Sequence, residues 1–339
     1  MLDLLLDEDE GMIAQTVRDY LARELPIDRL RPKAAPYDLA HARAEMFELG
    51  WFRIGLPESV GGAGLGLVEE MLIQRECGRY LVGPWAPAAV LGAHVAYHAG
   101  DPALASKLGS GETSVALAVP SSADGNATQI PTYAFDWNDG TLLLVCNDDG
   151  IGLFDAGTFT EVRPDQCLDE SVAMHAGVLS ALQPRCWISS KQAPLTSRAA
   201  VLFAAALVGL AEHACDLTVD YVKVRQQFGK PIGSFQAVKH RCADMALRAR
   251  LGWYQTNLAC LKLEAEASDA VFQSAAAKLV AAQAAHENGR AAIQMHGGIG
   301  FQAECDAHWF MKRAHLYDQA GGCVQKQAQR VLAQPSPLW

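Results

Sequence analysis

The sequence lacks the cysteine spacing of a disulfide framework or a zinc site. Its nine cysteines are scattered singly, and no two of them form a Cys-x-x-Cys pair. The count is odd, and a chain of 339 residues buries enough surface to fold without covalent cross-links. We therefore expect free thiols in a reducing compartment and no metal site.

An excess of positive charge is also missing. The formal net charge is −10, and binding to nucleic acid needs a basic face that neutralises phosphates. Nucleic acid is therefore not expected as a partner. A local cluster of Arg and Lys can still hold an anionic small ligand.

Long hydrophobic runs and a basic leader are absent as well. The longest apolar run, residues 201–211, is about half of the ~20 residues that a membrane span needs. The first ten residues are acidic and lack the basic start of a signal peptide. These absences predict a cytoplasmic protein without a membrane partner.

What the sequence does contain is a change of pattern along the chain. Helical periodicity dominates residues 1–112, short β-branched and aromatic runs between Asp-Gly turns fill residues 113–192, and long Ala-rich helical patterns cover residues 193–339. We predict a mainly α fold with a small β domain: an N-terminal helical domain, a middle antiparallel β domain and a C-terminal four-helix bundle, with these boundaries. The broad apolar faces of the long helices predict an oligomer.

Capping and turn signals give the individual elements. Helices are predicted at residues 7–30, 39–49, 68–79, 199–225, 236–264, 270–295 and 304–332. Strands are predicted at residues 114–119, 141–146, 152–154 and 186–189.

The first motif with chemical content is Arg225-Gln-Gln-Phe-Gly-Lys-Pro-Ile-Gly-Ser-Phe-Gln236. It ends one long helix, turns through Gly229 and Pro231, and starts the next helix. An Arg at a helix C-terminus beside such a turn can offer its guanidinium to a phosphate. From these residues alone a plain interpretation is favoured, with Arg225 as a helix-terminal charge and Phe228 as a hydrophobic staple.

A second motif, Gln294-Met-His-Gly-Gly-Ile-Gly-Phe301, follows an Ala-rich helical pattern. By itself it predicts a helix C-cap and a turn. It does not follow a strand, so it is not a Rossmann fingerprint. Glycines at positions 297 and 298 would let the backbone come close to a dinucleotide pyrophosphate.

Together these segments resemble the acyl-CoA dehydrogenase family, whose patterns are Arg-x-x-Phe-Gly-x-x-(Ile/Leu)-x-x-Phe-Gln and Gln-x-x-Gly-Gly-x-Gly-(Phe/Tyr). The stretches at residues 55–65 and 76–79 resemble its N-terminal domain, so the resemblance covers about two-thirds of the chain. In that family the two patterns hold the adenosine-pyrophosphate arm of an FAD seated mainly in the neighbouring subunit. The resemblance implies FAD as cofactor, with six binding residues: Arg225, Phe228, Gln236, Gln294, Gly297 and Gly298.

The β region departs from the family pattern. The family carries a Thr-Glu-Pro strand and a Gly-Ser-Asp turn that contact the flavin ring and the acyl chain. Here Pro120 is kept, but Ala118 and Val119 replace the Thr and the Glu. Flavin binding by the chain's own β domain is therefore not expected.

The catalytic base is the second departure. The family abstracts a proton α to the thioester with a Glu, and alignment of the helix at residues 310–316 brings that position to Gly321, or to Ala320 after a shift of one residue. The alternative family position falls at residues 251–254, which hold no acid. The nearest carboxylate is Asp318, for which a surface or capping role is favoured over that of a relocated base.

These features predict a subunit of an FAD-dependent acyl-CoA dehydrogenase that supplies FAD contacts to a catalytic partner chain. By resemblance, the assembly is a heterotetramer with a second acyl-CoA dehydrogenase-like subunit, an acyl-CoA substrate (a steroid side-chain ester in some relatives) and an electron-transfer acceptor protein. Three alternatives stay open: a self-sufficient homotetramer that uses Asp318 as base, a related flavin oxidase, and a structural protein without flavin.

Overall fold

A computed structural model describes residues 4–32, 34, 37–121, 128–180 and 184–334. Helices precede and follow a seven-stranded sheet, which confirms the predicted mainly α fold with a small β domain. The helices are α1 (Glu8–Glu24), α2 (Leu39–Glu48), α3 (Leu67–Arg79), α4 (Trp85–His98), α5 (Pro102–Ser110), α6 (Leu195–Val224), α7 (Gln236–Glu264), α8 (Ala270–His296), α9 (Ala307–Gln319) and α10 (Val324–Ala333). The strands are β1 (Val115–Pro120), β2 (Gln129–Phe135), β3 (Leu142–Cys146), β4 (Gly150–Phe154), β5 (Phe159–Asp165), β6 (Met174–Ser180), β7 (Cys186–Ser189), β8 (Gln226–Gln227) and β9 (Lys230–Pro231).

Helix α1 begins at a reciprocal capping box. The Asp7 carboxylate accepts from the backbone N–H of Glu10 at 2.8 Å, and the Glu10 carboxylate accepts from the N–H of Asp7 at 2.9 Å. The helix ends at Glu24, six residues before the predicted end, because Pro26 disfavours helical geometry at the residue before it. A short 3₁₀ helix covers the last four predicted residues, Ile27–Leu30.

The sheet has the strand order β5-β6-β2-β1-β3-β4-β7. Its neighbours are antiparallel except for β1 and β3, which run parallel because β2 returns on the other side of β1. The middle region is thus antiparallel at every pair but one. Helix α4 packs against β1, β4 and β7, which joins the sheet to the helices.

Helix α6 is the core of the C-terminal bundle and contacts α7, α8 and α9. Within the described part of the chain it is the one helix that is long and apolar enough to cross a membrane, yet 78% of its most apolar window is buried inside the protein. Packed neighbours therefore cover this apolar surface, as is usual for a central helix.

Helices α3 and α6 cross in close contact at two glycines. A Cβ atom on Gly78 would collide with the backbone oxygen of Ala206, and one on Gly209 would collide with the backbone oxygen of Arg75. Next to this crossing, Glu212 of α6 accepts from Arg75 at 2.7 Å. Because glycine has no side chain at these two positions, the backbones of α3 and α6 can lie in contact. The ion pair between Arg75 and Glu212 adds a polar contact beside the crossing.

The single helix predicted for residues 304–332 is wrong. The chain forms α9 and α10 instead, because Gly321 and Gly322 between them have φ angles of +65° and +100°, which no helix contains. This break lies at the position where the family pattern would place its catalytic Glu.

Candidate cofactor site

An open cleft of about 530 Å³ lies between the end of α6 and the end of α8. Its walls are the α6 terminus with the β8–β9 hairpin on one side and the glycine turn after α8 on the other. It is lined by Tyr221, Arg225, Gln227, Ile232, Met295, His296, Gly297, Gly298, Ile299 and Gln302.

Arg225 stands at the C-terminal cap of α6. Its backbone leaves the helix with φ −68° and ψ 123°, and its N–H still donates to the carbonyl of Tyr221 at 2.9 Å. The guanidinium is exposed and has no hydrogen-bond or ion-pair partner among the described residues. An unpaired guanidinium at the rim of a cleft is suited to a phosphate oxygen.

The glycine turn forms the facing wall. Gly297 has φ +64° and ψ −142°, a conformation that L side chains avoid, and its N–H donates to the carbonyl of Gln294. A Cβ atom on Gly297 or Gly298 would meet nothing within 4 Å. The backbone here faces open space, so a ligand can approach it closely.

An aromatic pair forms the floor of the cleft. The rings of Tyr221 and His296 are stacked with centroids 4.2 Å apart and planes 23° apart. His296 Nδ1 lies 2.7 Å from the carbonyl of Ala292, which fixes the buried imidazole. The pair therefore links the two walls and sets the width of the cleft.

The structure brings three of the six predicted binding residues into the cleft: Arg225, Gly297 and Gly298. The other three, Phe228, Gln236 and Gln294, are exposed to solvent and are not among its lining residues. Phe228 is 91% exposed, has φ +53°, and stands at the tip of the β8–β9 hairpin. An apolar ring held outward in this way suits contact with another molecule. The FAD-binding role of Phe228, Gln236 and Gln294 stays a prediction.

Sequence reasoning missed several residues of the cleft. Tyr221 and Gln302 adjoin the two motifs, and Met295 lies inside the second motif at a position that its pattern leaves unspecified. Tyr221 and His296 are 75 positions apart, so only the packing of α6 on α8 reveals their stack.

The position aligned with the family's base is a buried turn. A Cβ atom on Gly321 would lie 3.4 Å from the Phe203 ring and 3.9 Å from Cys146 Sγ. The positive φ of Gly321 would also strain any residue with a side chain. The turn is packed against core residues and holds no carboxylate.

A buried lysine, Lys278, donates hydrogen bonds to the backbone carbonyls of this turn. The Lys278 ammonium donates to the carbonyls of Asp318 at 3.2 Å and Gly322 at 2.7 Å, and to the carbonyl of Ala320. Burial lowers the pKa of Lys278 to about 7, against the opposing charge of Asp318. Gln327 adds a bond from Nε2 to the carbonyl of Gly321 at 3.0 Å. Side chains from α8 and α10 thus satisfy the carbonyls of the turn.

Asp318 stands in the last turn of α9, and its carboxylate is engaged. Oδ1 accepts from the N–H of Val324, the first residue of α10, at 2.9 Å, and Oδ2 lies 3.8 Å from His286 Nε2. Burial acts to raise the pKa of Asp318, but the nearby His286 ring, the hydrogen bond from the Val324 N–H and the charge of Lys278 lower it below its ordinary value. The carboxylate caps α10 and is a weak proton acceptor.

The altered flavin strand is part of the sheet core. Ala118 is buried and pairs with Ala134 of β2, and Val119 pairs with Tyr133. The turn that follows, at residues 122–125, lies outside the described residues.

At the end of β2, Asp136 has φ +57°, and its Oδ2 is buried without a hydrogen-bond partner among the described residues. Burial raises the pKa of Asp136 to about 6, against the lowering effect of Arg313 and Arg43.

Comparison with known proteins identifies the class of this fold and cleft. The profile of the acyl-CoA dehydrogenase N-terminal domain matches residues 7–111, and that of the C-terminal domain matches residues 194–334. Acyl-CoA dehydrogenase IpdE2 of Mycobacterium tuberculosis is 31% identical over 313 residues, which is 91% of each chain. Acyl-CoA dehydrogenase FadE34 of the same organism is 34% identical over 79% of this chain, which spans only 38% of FadE34.

A solved structure supports the same fold. A chain of the ChsE4-ChsE5 complex from Mycobacterium tuberculosis superposes with a TM-score of 0.81 at 20% identity, covering 99% of this chain and 100% of the other. The chain belongs to the acyl-CoA dehydrogenase family. It is thus an oxidoreductase of the class that acts on CH–CH bonds, and FAD is the cofactor of that family.

The cleft fits one end of that cofactor. The unpaired Arg225 guanidinium can bind a phosphate oxygen, and Gly297 and Gly298 leave room for a pyrophosphate against the backbone. When FAD is bound, its flavin ring supplies the hydride acceptor of the reaction.

Proposed function

We propose that this chain is the non-catalytic subunit of a heteromeric FAD-dependent acyl-CoA dehydrogenase. In this proposal Arg225, Gly297 and Gly298 hold the adenosine-pyrophosphate arm of an FAD whose flavin ring lies in a partner chain. Phe228, Gln236 and Gln294 complete the contacts from the exposed surface. The partner supplies the base that removes the α-proton of the acyl-CoA.

The observation that carries the proposal is the 320–322 turn. Gly321 stands where the family places its carboxylate, the turn packs against Phe203, and Lys278 holds the flanking carbonyls. A single substitution to Glu would not create the family's catalytic site here, because the Phe203 ring and the Lys278 ammonium already fill the space around the turn. The intact cleft and the altered base position together favour a supporting subunit over a complete enzyme.

The relative of similar fold that comes from the ChsE4-ChsE5 complex supports a heteromeric assembly for this chain. We extend the proposal to a heterotetramer in the cytoplasm with a second acyl-CoA dehydrogenase-like subunit. The acyl-CoA substrate, with a steroid side-chain ester as the first choice, and an electron-transfer acceptor protein are inferred from the sequence resemblance.

The flavin content of the purified assembly tests the proposal. A tagged copy is expressed in its native host, and the amounts of each chain and of FAD are measured. We expect two kinds of chain and about one FAD for every two chains, because only the partner seats a flavin ring. One FAD per copy of this chain, in protein free of any second chain, would establish the self-sufficient enzyme instead.

Arg225→Ala sharpens that test. Loss of a charge-assisted contact of ~1.5–3 kcal/mol should weaken FAD binding about 10- to 100-fold without unfolding the chain. The matched control is Arg290→Ala, which removes an exposed guanidinium that is outside the cleft lining. Equal flavin dissociation from both variants would leave Arg225 as a helix-terminal charge.

A further inference from the structure

One nitrogen of the His296 ring is engaged and the other is free. His296 is only 7% exposed, and its Nδ1 lies 2.7 Å from the carbonyl of Ala292. A carbonyl oxygen can only accept, so Nδ1 carries a hydrogen whether the ring is neutral or charged. Nε2 has no hydrogen-bond partner among the described residues. Any change in the charge of this ring therefore takes place at Nε2.

This ring lies between the two walls of the cleft. It stacks on Tyr221, which is one turn before Arg225 at the end of α6, and it directly precedes Gly297 of the facing turn. With one face on Tyr221 and Nδ1 against the backbone of α8, the edge that carries Nε2 is the part of the ring left to line the cleft. A buried, unpaired nitrogen thus faces the space that a ligand would fill.

The cleft itself offers less positive charge than a pyrophosphate needs. A dinucleotide pyrophosphate carries about two negative charges, one on each phosphate. Among the described residues that line the cleft, Arg225 is the one with a permanent charge. The two lysines beside it have other partners: Lys223 pairs with Asp220 at 3.3 Å, and the Lys230 ammonium lies over the Phe235 ring at 4.4 Å. About one phosphate charge is therefore left for another group of the cleft.

The groups around the His296 ring supply no free anion. Helix α6 presents Tyr221 and Arg225, and the turn at residues 297–301 has no titratable side chain. From α7, Cys242 is half-buried, and burial raises the pKa of its thiol. The carboxylates of the neighbouring segments are exposed or paired with basic side chains: Asp216, Asp220, Asp244, Glu287, Glu304 and Asp306. A proton on Nε2 therefore has an anion to pair with only when a phosphate is in the cleft.

We propose that His296 takes up a proton at Nε2 when the FAD pyrophosphate enters the cleft, and then donates a hydrogen bond to a phosphate oxygen opposite Arg225. The proton comes from solvent and returns to it when FAD leaves. This inference rests on the proposed function, since it needs the pyrophosphate in this cleft. FAD affinity is then highest where solvent readily supplies the proton, and it falls as the pH rises.

The sign of the pH dependence separates this role from two others. A neutral ring offers Nε2 as an acceptor, which suits a ribose hydroxyl or the adenine amino group, and FAD binding would then strengthen as the pH rises. A ring that only packs on Tyr221 would give the same affinity at every pH. A phosphate at Nε2 gives the opposite sign to the first and a slope that the second lacks.

The complete assembly, freed of flavin and titrated with FAD, provides the test. Calorimetry in pairs of buffers with different heats of ionisation gives the dissociation constant and the number of protons taken up. For wild type we expect the dissociation constant to be about five- to thirty-fold higher at about pH 8 than at about pH 6, with uptake of up to about one proton.

His296→Phe keeps a flat ring for the stack on Tyr221 and removes Nε2. It should bind FAD almost equally at about pH 6 and about pH 8, and it should be closest to wild type at the higher pH. The matched control is His41→Phe, which replaces a histidine that is 68% exposed on α2 and outside the cleft lining. This control should keep the pH dependence and the proton uptake of wild type.

A pH dependence that is the same in wild type and His296→Phe would overturn the inference. Wild type alone can also overturn it, without relying on how a variant folds, if FAD binding is constant or strengthens as the pH rises. Arg225→Ala keeps this failure apart from that of the proposed function. Unchanged FAD binding by Arg225→Ala at every pH would show that the pyrophosphate is not in this cleft, whereas weakened binding beside an unaltered His296→Phe profile would remove the role of His296 alone.

Discussion

Replacing Asp318 separates a catalytic role from a structural one. A general base contributes about 10²–10⁴-fold to rate, so its loss must appear in turnover. In the structure the Asp318 carboxylate accepts the Val324 N–H at 2.9 Å, and its pKa is lowered, which makes it a poor proton acceptor. We expect Asp318→Asn and Asp318→Ala both to leave acyl-CoA oxidation by the complete assembly within a few-fold of wild type.

The two variants should differ in stability. Asn keeps an Oδ1 acceptor for Val324, whereas Ala removes the cap of α10 at a cost of about 0.5–2 kcal/mol. Turnover with an acyl-CoA, flavin content and urea denaturation are measured on the same preparations. Loss of turnover in both variants, with flavin content and assembly unchanged, would refute a purely structural role for Asp318. The self-sufficient enzyme would then be the correct description.

Two buried groups give further predictions. Asp136→Asn should stabilise the chain above pH 6 by up to about 3 kcal/mol, because the folded state raises the pKa of Asp136 to about 6 and ionisation is then unfavourable. The gain should vanish below about pH 3, where the carboxyl is protonated in both the folded and the unfolded chain. An equal gain at about pH 3 and about pH 8 in thermal melts would contradict this reasoning. For Lys278 the sign is opposite: its pKa of about 7 lies below the unfolded value, so wild-type stability should rise from pH 7 towards pH 10, where only the unfolded chain still binds the proton. Lys278→Met should lack this part of the rise in stability with pH. Parallel profiles of stability against pH for the two proteins would exclude a lowered pKa of Lys278 as its cause.

The sequence predicted the long helices well because each carries its own signals. Helix α7 has the predicted bounds, since Pro231 and the turn before Gln236 define its start and a polar stretch follows its end. Strands β2, β5 and β6 were not predicted. Pro131 interrupts β2, and the charged, exposed pattern of β5 is that of an edge strand, whose pairing depends on neighbours.

The candidate site was predictable in part for a related reason. The two motifs located both walls of the cleft, because each is a local turn with its own glycines. The break between α9 and α10 was not predicted, since the helical pattern continues across Gly321 and Gly322 and the stabilising Lys278 comes from 40 or more positions away. Contacts of that range leave no trace in a local pattern.

The glycine crossing of α3 and α6 has a consequence for how the chain melts. Because backbone packs on backbone at Gly78 and Gly209, the helices before the sheet share their core with those after it. The two ends of the sequence should therefore lose structure in a single transition, with the sheet carried along as an insertion between them. A fragment that stops before β1 would leave the α6-facing side of α3 bare, and would be a substrate for proteases and chaperones rather than an independent domain.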